Sequence, residues 1–220
     1  SFPTRRSSDL IWLIVGAFLF SRGFIKTGLG KRIAYNLIAA FGSSSLRLSY
    51  ALALSDLILA PATPSNTARV GGVIMPITTS LAKAFGSEPQ DGPRKIGSFL
   101  MQSIYQVNTI TSAMFQTSMA GNTLVAALAL QSFGIGITWG DWAMAAIVPG
   151  IIALIIMPYF IYKVYPPEIK DAREAQQMIR EELKGLGKMS FQEWVMLGVF
   201  VLALVLWATS QFTKIDATTV

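Results

Sequence analysis

One interruption constrains this chain more than any other feature. An apolar run from Leu46 to Ala60 breaks at Pro61-Ala62-Thr63-Pro64-Ser65-Asn66-Thr67 and resumes from Ala68 to Phe85. The first arm, about 15 residues, makes roughly 22 Å of helix, short of a hydrocarbon core near 30 Å. A re-entrant hairpin over residues 45–85 fits those lengths better than two full spans. Irregular backbone at membrane depth is tolerated only where protein or a water-filled cavity surrounds it. The spacing therefore predicts a hairpin whose tip is a polar site inside a membrane protein.

The rest of the chain agrees with a bilayer as its solvent. Of 220 residues, 52% are hydrophobic and 14% charged, against about 25% charged in a soluble domain. Residues 1–10, SFPTRRSSDL, read as a non-native, adaptor-derived segment, and the chain as an internal fragment. Residues 11–44 read as a transmembrane helix followed by an interfacial helix, with Ile33, Leu37 and Ala40 at helical spacing; a short core-facing connector is the alternative. Residues 96–133 are too long for one straight span. A polar break from Gln116-Thr117-Ser118 to Gly121-Asn122-Thr123 predicts a discontinuous transmembrane helix there. Residues 141–163 and 191–211 read as further spans, and 164–190 as a cytoplasmic amphipathic segment. The fold class is thus an all-α polytopic membrane protein.

Charge placement supports that topology. Lys26, Arg32, Arg47, Lys83, Arg94, Lys95, Lys163 and Lys188 fall on one side of the membrane if the hairpin enters and leaves on that side. The opposite loop, 134–142, has no Lys or Arg, and Lys214 is the exception. The formal charge of +6 is spread between apolar blocks rather than gathered in a patch, so nucleic acid is not a partner. Cys and His are both absent. Disulfides, thiolate metal sites, Ser/His or Cys/His nucleophiles and histidine proton relays are excluded with them, and an enzyme is not the expectation. Trp139, Trp142, Tyr159, Tyr162, Tyr165, Trp194 and Trp207 sit near span ends and read as interface anchors.

A half-helix starting near Asn66 would aim free N–H groups and a partial positive charge into the protein. Such ends receive anionic groups, and Ser65, Asn66 and Thr67 add donors and acceptors. Unwound carbonyls nearby could hold a sodium ion, and paired breaks at bilayer depth point to a transporter site. An ordinary Ser/Asn helix cap is the plain alternative. Asp56 and Arg69 are the ionisable residues well inside the hairpin. They either form a structural ion pair, or Arg69 supplies fixed positive charge to a carboxylate substrate. Thr117, Ser118 and Asn122 are a second candidate ion or substrate site, or polar groups that bond neighbouring helices.

Ala60 to Ile77, APATPSNTARVGGVIMPI, resembles the first signature hairpin of the divalent anion:sodium symporter family. Lys26 to Arg32, KTGLGKR, and Met114 to Asn122, MFQTSMAGN, are similar to its 2-oxoglutarate/malate translocator and bacterial citrate or tartrate/succinate exchanger subgroup. The resemblance implies an N-terminal inverted repeat of an elevator-type transporter, multi-pass in a bacterial inner membrane, and a homodimer when complete. It implies carboxylate binding between two Ser-Asn-Thr tips, the first matching Ser65, Asn66 and Thr67. In its symporters the loop after the break in the following span helps form a sodium site, and Asn122 matches there. Two departures stand out: no second tip is present, and Arg69 follows the first where sodium-coupled members often lack a charge. The expectation is secondary transport of di- or tricarboxylates (2-oxoglutarate, malate, succinate, citrate or tartrate class) by anion exchange, with no cofactor beyond sodium. Sodium-coupled dicarboxylate symport and a non-transporting membrane scaffold are the alternatives.

Overall fold

The computed structural model describes residue 15 and residues 18–209; the segment 1–10 and Lys214 lie outside the described residues, as do both outer edges of the terminal spans. The described part is helical apart from one isolated antiparallel bridge, Ser44 to Asp171. Helix α1 (18–27) is followed by α2 (Leu29–Phe41) and α3 (Ser45–Leu59). A 3-10 turn, Ala60–Ala62, precedes α4 (Asn66–Arg69), a π turn (Val70–Ile74) and α5 (Met75–Ala84), which together form one helical stretch. Then come α6 (Gly97–Met114), a 3-10 turn (Gln116–Ser118), α7 (Ala120–Phe133), α8 (Trp139–Val164), α9 (Arg173–Gly185) and α10 (Phe191–Ala208).

The starts and stops follow local chemistry. Ser44 Oγ accepts from Arg47 N at the start of α3. Thr138 with Asp141, and Ser190 with Glu193, each form a reciprocal capping box at the heads of α8 and α10, satisfying donors that a helix leaves open. Of the described helices, α8 and α10 are long and apolar enough to cross a bilayer, at 26 and 18 residues, and 22% of each apolar window is buried. Their outward faces carry residues such as Ile152, Ile155, Val201 and Leu202. The core gathers Phe24, Leu29, Ile38, Leu52, Ile74, Leu81 and Phe99 from the other helices, joined by Ile161 of α8 and Phe200 of α10. Where α6 crosses α8, a Cβ on Gly150 would stand 2.5 Å from Met114 Cγ, so only glycine permits that approach without displacing Met114.

The connecting segments are tied together at one end of the helices. Ser45 N donates to Lys170 O at 3.0 Å and Ala172 N to Ser43 O at 3.2 Å. Glu168 N and Ile169 N donate to Arg94 O and Lys95 O at 3.1 and 2.9 Å. The stretch 168–172 thus fastens the head of α3, the head of α6 and the tail of α8 to one another.

Helix α2 packs between α3 and α9 through Arg32, Ala34, Tyr35 and Ile38. Ile33 and Leu37 are only half-buried and Ala40 is exposed, so the packed face is rotated from the one their periodicity picks out. The cause is polar. Arg32 Nε donates to Glu193 Oε1 at 2.6 Å and Nη2 to Oε2 at 3.2 Å. Its Nη groups also reach the carbonyls of Gly187 and Leu186, at 2.9 and 3.3 Å. Gly187, at φ +62°, makes the turn that presents those carbonyls, a conformation open mainly to glycine. The buried face of α9, with Ala175 and Ile179, covers α2. Gln176 and Arg180 both donate to Ala39 O near the C-terminus of α2, at 2.9 to 3.1 Å, where cations and donors are favoured.

Because both partners of the Arg32–Glu193 pair are nearly inaccessible, Arg32→Ala strands a buried carboxylate. We expect a loss of about 3–5 kcal/mol, read as a lower Tm in detergent. Arg32→Lys does not restore it, since an ammonium lacks the planar fork that bridges carboxylate and carbonyls.

Candidate functional site

The two interruptions in the helices meet. At the first, Ala60–Ala62 tighten into a 3-10 turn and Thr63 is extended at φ −123°, ψ 98°. Proline cannot donate a backbone hydrogen bond, and Pro61 and Pro64 leave this stretch unable to continue α3. At the second, Phe115 and Met119 are extended on either side of the Gln116–Ser118 turn. The segments are more than fifty residues apart in sequence and directly bonded. Ala120 N donates to Pro64 O at 3.0 Å, and Thr117 Oγ1 donates to Pro61 O at 2.7 Å.

Arg69 holds this junction from beneath. It is 1% exposed, and Asp56 is 2% exposed. Its Nε donates to Asp56 Oδ1 at 2.8 Å. Nη1 reaches Thr63 O at 3.2 Å, in the first break, and Ser118 O at 3.4 Å, in the second. Nη2 reaches Thr111 Oγ1 and Ser112 Oγ, both at 3.2 Å. A guanidinium has five N–H donors, and all five have a partner here. Thr111 Oγ1 donates in turn to Asp56 Oδ2. Of the two roles open to Arg69, the geometry supports the ion pair. All five donors are engaged by the protein.

The second candidate group is also engaged. Ser118 is fully buried and its hydroxyl donates to the carbonyls of Ser112 and Phe115. Asn122 Nδ2 donates to the same two carbonyls, at 2.7 and 2.9 Å. These are the carbonyls that the end of α6 leaves without helical partners. Thr117 is one link of a chain: Trp139 Nε1 donates to Thr117 Oγ1 at 3.0 Å, and Thr117 Oγ1 donates in turn to Pro61 O. Trp139 lies between Phe115 and Trp207 in a stack, with centroids at 5.8 and 6.3 Å. Trp139 is therefore a buried prop under the break rather than an interface anchor. Periodicity could not show this, because the aromatic partners come from three separate segments.

What stays accessible is the tip. Ser65 and Asn66 are half-buried and Thr67 is exposed. The tip caps itself: Ser65 Oγ accepts from Ala68 N at 3.2 Å, and Asn66 Oδ1 from Thr67 N at 2.8 Å. The π turn that follows carries Gly71 and Gly72, both exposed, and such turns are common at functional sites. Sequence reasoning did not single out Thr111 or Ser112, placed Thr63 only within the breaker cluster, and read Trp139 as an interface anchor. Polar residues at those spacings gave the only available signal. Among the described residues no three acidic side chains converge into a metal-holding group.

Comparison with known proteins gives this geometry a family. The family model for the sodium:sulfate symporter transmembrane region matches residues 5–220. The inner membrane protein YbhI of Escherichia coli (strain K12) is 49% identical over 97% of this chain and 45% of its own length. The chloroplastic dicarboxylate transporter 1 of Spinacia oleracea is 47% identical, over 94% of this chain and 37% of its own. The L-tartrate/succinate antiporter of Escherichia coli (strain UTI89 / UPEC) is 41% identical, over 91% and 42%. The chain spans less than half the length of the relatives it matches. It belongs to the divalent anion:sodium symporter family and is part of a multi-pass membrane protein.

The hub makes a paired prediction. Asp56→Ala leaves a buried guanidinium without its counter-charge and should cost about 3–5 kcal/mol. Replacing both partners by apolar residues of similar volume, Asp56→Leu with Arg69→Met, should cost less in Tm than Arg69→Met alone, which strands the Asp56 carboxylate as well as the two carbonyls.

Proposed function

We propose that the complete protein is a secondary transporter, not an enzyme, that exchanges di- or tricarboxylates across a bacterial inner membrane. A dicarboxylate transporter and a tartrate/succinate antiporter among its relatives support the substrate class. One observation carries the choice of exchange over sodium symport. The Arg69 guanidinium already occupies the carbonyls of Thr63 and Ser118, one from each break. An unwound helix can lend such carbonyls to sodium. Here they are committed to a cation that is part of the chain, so the residues do not fit a sodium ion at this point.

The substrate half-site is the tip. A carboxylate oxygen arriving at the head of the 66–84 helical stretch meets the Ser65 and Thr67 hydroxyls, the Asn66 amide and the first-turn N–H groups. The positive end of the backbone dipoles faces it. Arg69 contributes as a positioning residue, fixing the first break against the second. The other half of the site belongs to a second, inverted repeat outside this chain, with elevator motion in a homodimer. The hairpin enters from the cytoplasm, with the heads of α3 and α6 and the tail of α8 on that side. Their common fastening by 168–172 supports one shared face for these ends.

The full-length protein in malate-loaded liposomes should take up external radiolabelled malate at an unchanged rate when choline replaces sodium. A strict sodium requirement, or uptake unaffected by internal malate, would sink the exchange reading. A hydrogen bond to a charged group contributes about 1.5–3 kcal/mol. Asn66→Ala should therefore raise the KM for malate roughly tenfold or more, with Tm close to the parent's.

A further inference from the structure

Helix α6 exposes the wrong chemistry for a lipid-facing helix. Gln102, Tyr105 and Thr109, followed by Ala113, form its exposed stripe, with Tyr105 67% accessible. The three polar residues recur at the i, i+3, i+7 spacing of one helix face. On α8, by contrast, the exposed residues from Met144 to Ile156 are all apolar, and on α10 those from Trp194 to Val205 carry no amide or hydroxyl. Thr109 lies about 18 Å along the axis from Gly97, well inside a core near 30 Å. Thr109 Oγ1 donates back to Tyr105 O at 3.1 Å, so the groups on the stripe that call for protein or water rather than lipid are the Gln102 amide and the Tyr105 hydroxyl. On the flank of the stripe, Asn108 Nδ2 is shielded and has no acceptor among the described residues.

We infer that this face of α6 is a wall of the aqueous path by which the carboxylate reaches the tip from the α6 N-terminal side. Lys83, Arg94 and Lys95 lie in or next to the α5–α6 connection, before the N-terminus of α6, and the stripe runs from that end toward the break at Phe115. Cations at the mouth attract a small dianion. Amide and hydroxyl groups along the wall replace its water without trapping it, since no fixed charge lies on the stripe. The path rests on the carboxylate-transport reading, and its test is read separately from transport.

The measurement is thiol labelling of the full-length protein in liposomes, with any cysteine elsewhere in it replaced; this stretch has none. Gln102→Cys, Tyr105→Cys and Thr109→Cys are treated with the anionic, membrane-impermeant 2-sulfonatoethyl methanethiosulfonate, with Val125→Cys and Ile152→Cys as apolar-face controls. Each stripe variant should gain one adduct by mass, from one side of the membrane, while the controls stay unmodified. Saturating malate should slow the reaction severalfold. Stripe positions as inert as the controls overturn the inference, as does labelling confined to Gln102→Cys, because a path has to continue inward. Labelling indifferent to malate, in a protein that exchanges malate, also overturns it. Labelling in a protein that moves no carboxylate leaves the stripe exposed to water and overturns the transport reading instead.

Discussion

The Asp56–Arg69 pair is the interaction on which the arrangement of both breaks depends. Taking two charges out of water costs several kcal/mol per ion. That cost is offset only when the geometry is good and the remaining donors are filled. Here a carboxylate, two carbonyls and two hydroxyls satisfy every donor of the guanidinium. An apolar pair of the same volume would fill the space between the hairpin arms equally well. It would leave the Thr63 and Ser118 carbonyls without these donors at a depth where water is scarce, and each such orphan costs about 1–3 kcal/mol. The charge is therefore tied to the unwound backbone. Where two helices are broken at one level, something must hold the loose carbonyls, and Arg69 does so for both breaks together.

A second set of bonds makes the junction rigid from the opposite direction. Trp139 from the head of α8 bonds Thr117, and Thr117 bonds Pro61. Asn122 and Ser118 close the open end of α6. The hairpin, the broken helix and the head of α8 are thus linked through polar groups rather than apolar contact alone. Networks of this kind are stiff, because losing one member leaves the others unsatisfied in a low dielectric. The Arg32–Glu193 clamp sits elsewhere and joins α2 to the turn before α10. The described residues therefore hold two separate polar knots, one at the breaks and one where α9 hands over to α10.

Much of this was legible from residues 45–133, because breakers in an apolar run have few structural outcomes. Pro61 and Pro64 marked one interruption, and Gln116 to Thr123 marked the other. The Asp56–Arg69 pairing could be posed from depth alone, but not decided. The decision needed Thr111, Ser112 and Ser118, which α6 and the second break supply only after packing. That the two breaks bond each other was not visible either, since Pro64 O to Ala120 N is a backbone contact and leaves no mark in side-chain chemistry. Trp139 was misjudged for a related reason. An aromatic residue at the start of an apolar helix reads as an interface anchor unless the segment folding over it is known. For α2, helical spacing named Ile33, Leu37 and Ala40, whereas the buried Arg32 fixed the packed face instead.

The self-capped tip bears on how such a site could work as an exchanger. Ser65 Oγ and Asn66 Oδ1 already accept the N–H groups of Ala68 and Thr67, so the head of the helical stretch is not left unsatisfied when empty. A carboxylate that takes those N–H groups displaces two protein acceptors as well as water. Its gain is the difference between a charged and a neutral acceptor, and charge-assisted hydrogen bonds are roughly twice as strong as neutral ones. The net attraction is therefore modest, and the caps close again as the anion leaves. Arg69 is neutralised by Asp56, so the positive field at the tip is that of the backbone dipoles of the 66–84 stretch, which does not depend on a departing ion. On the exchange reading, binding and release then balance through one swap of acceptors, which suits a carrier that must let go of one carboxylate before it takes the next.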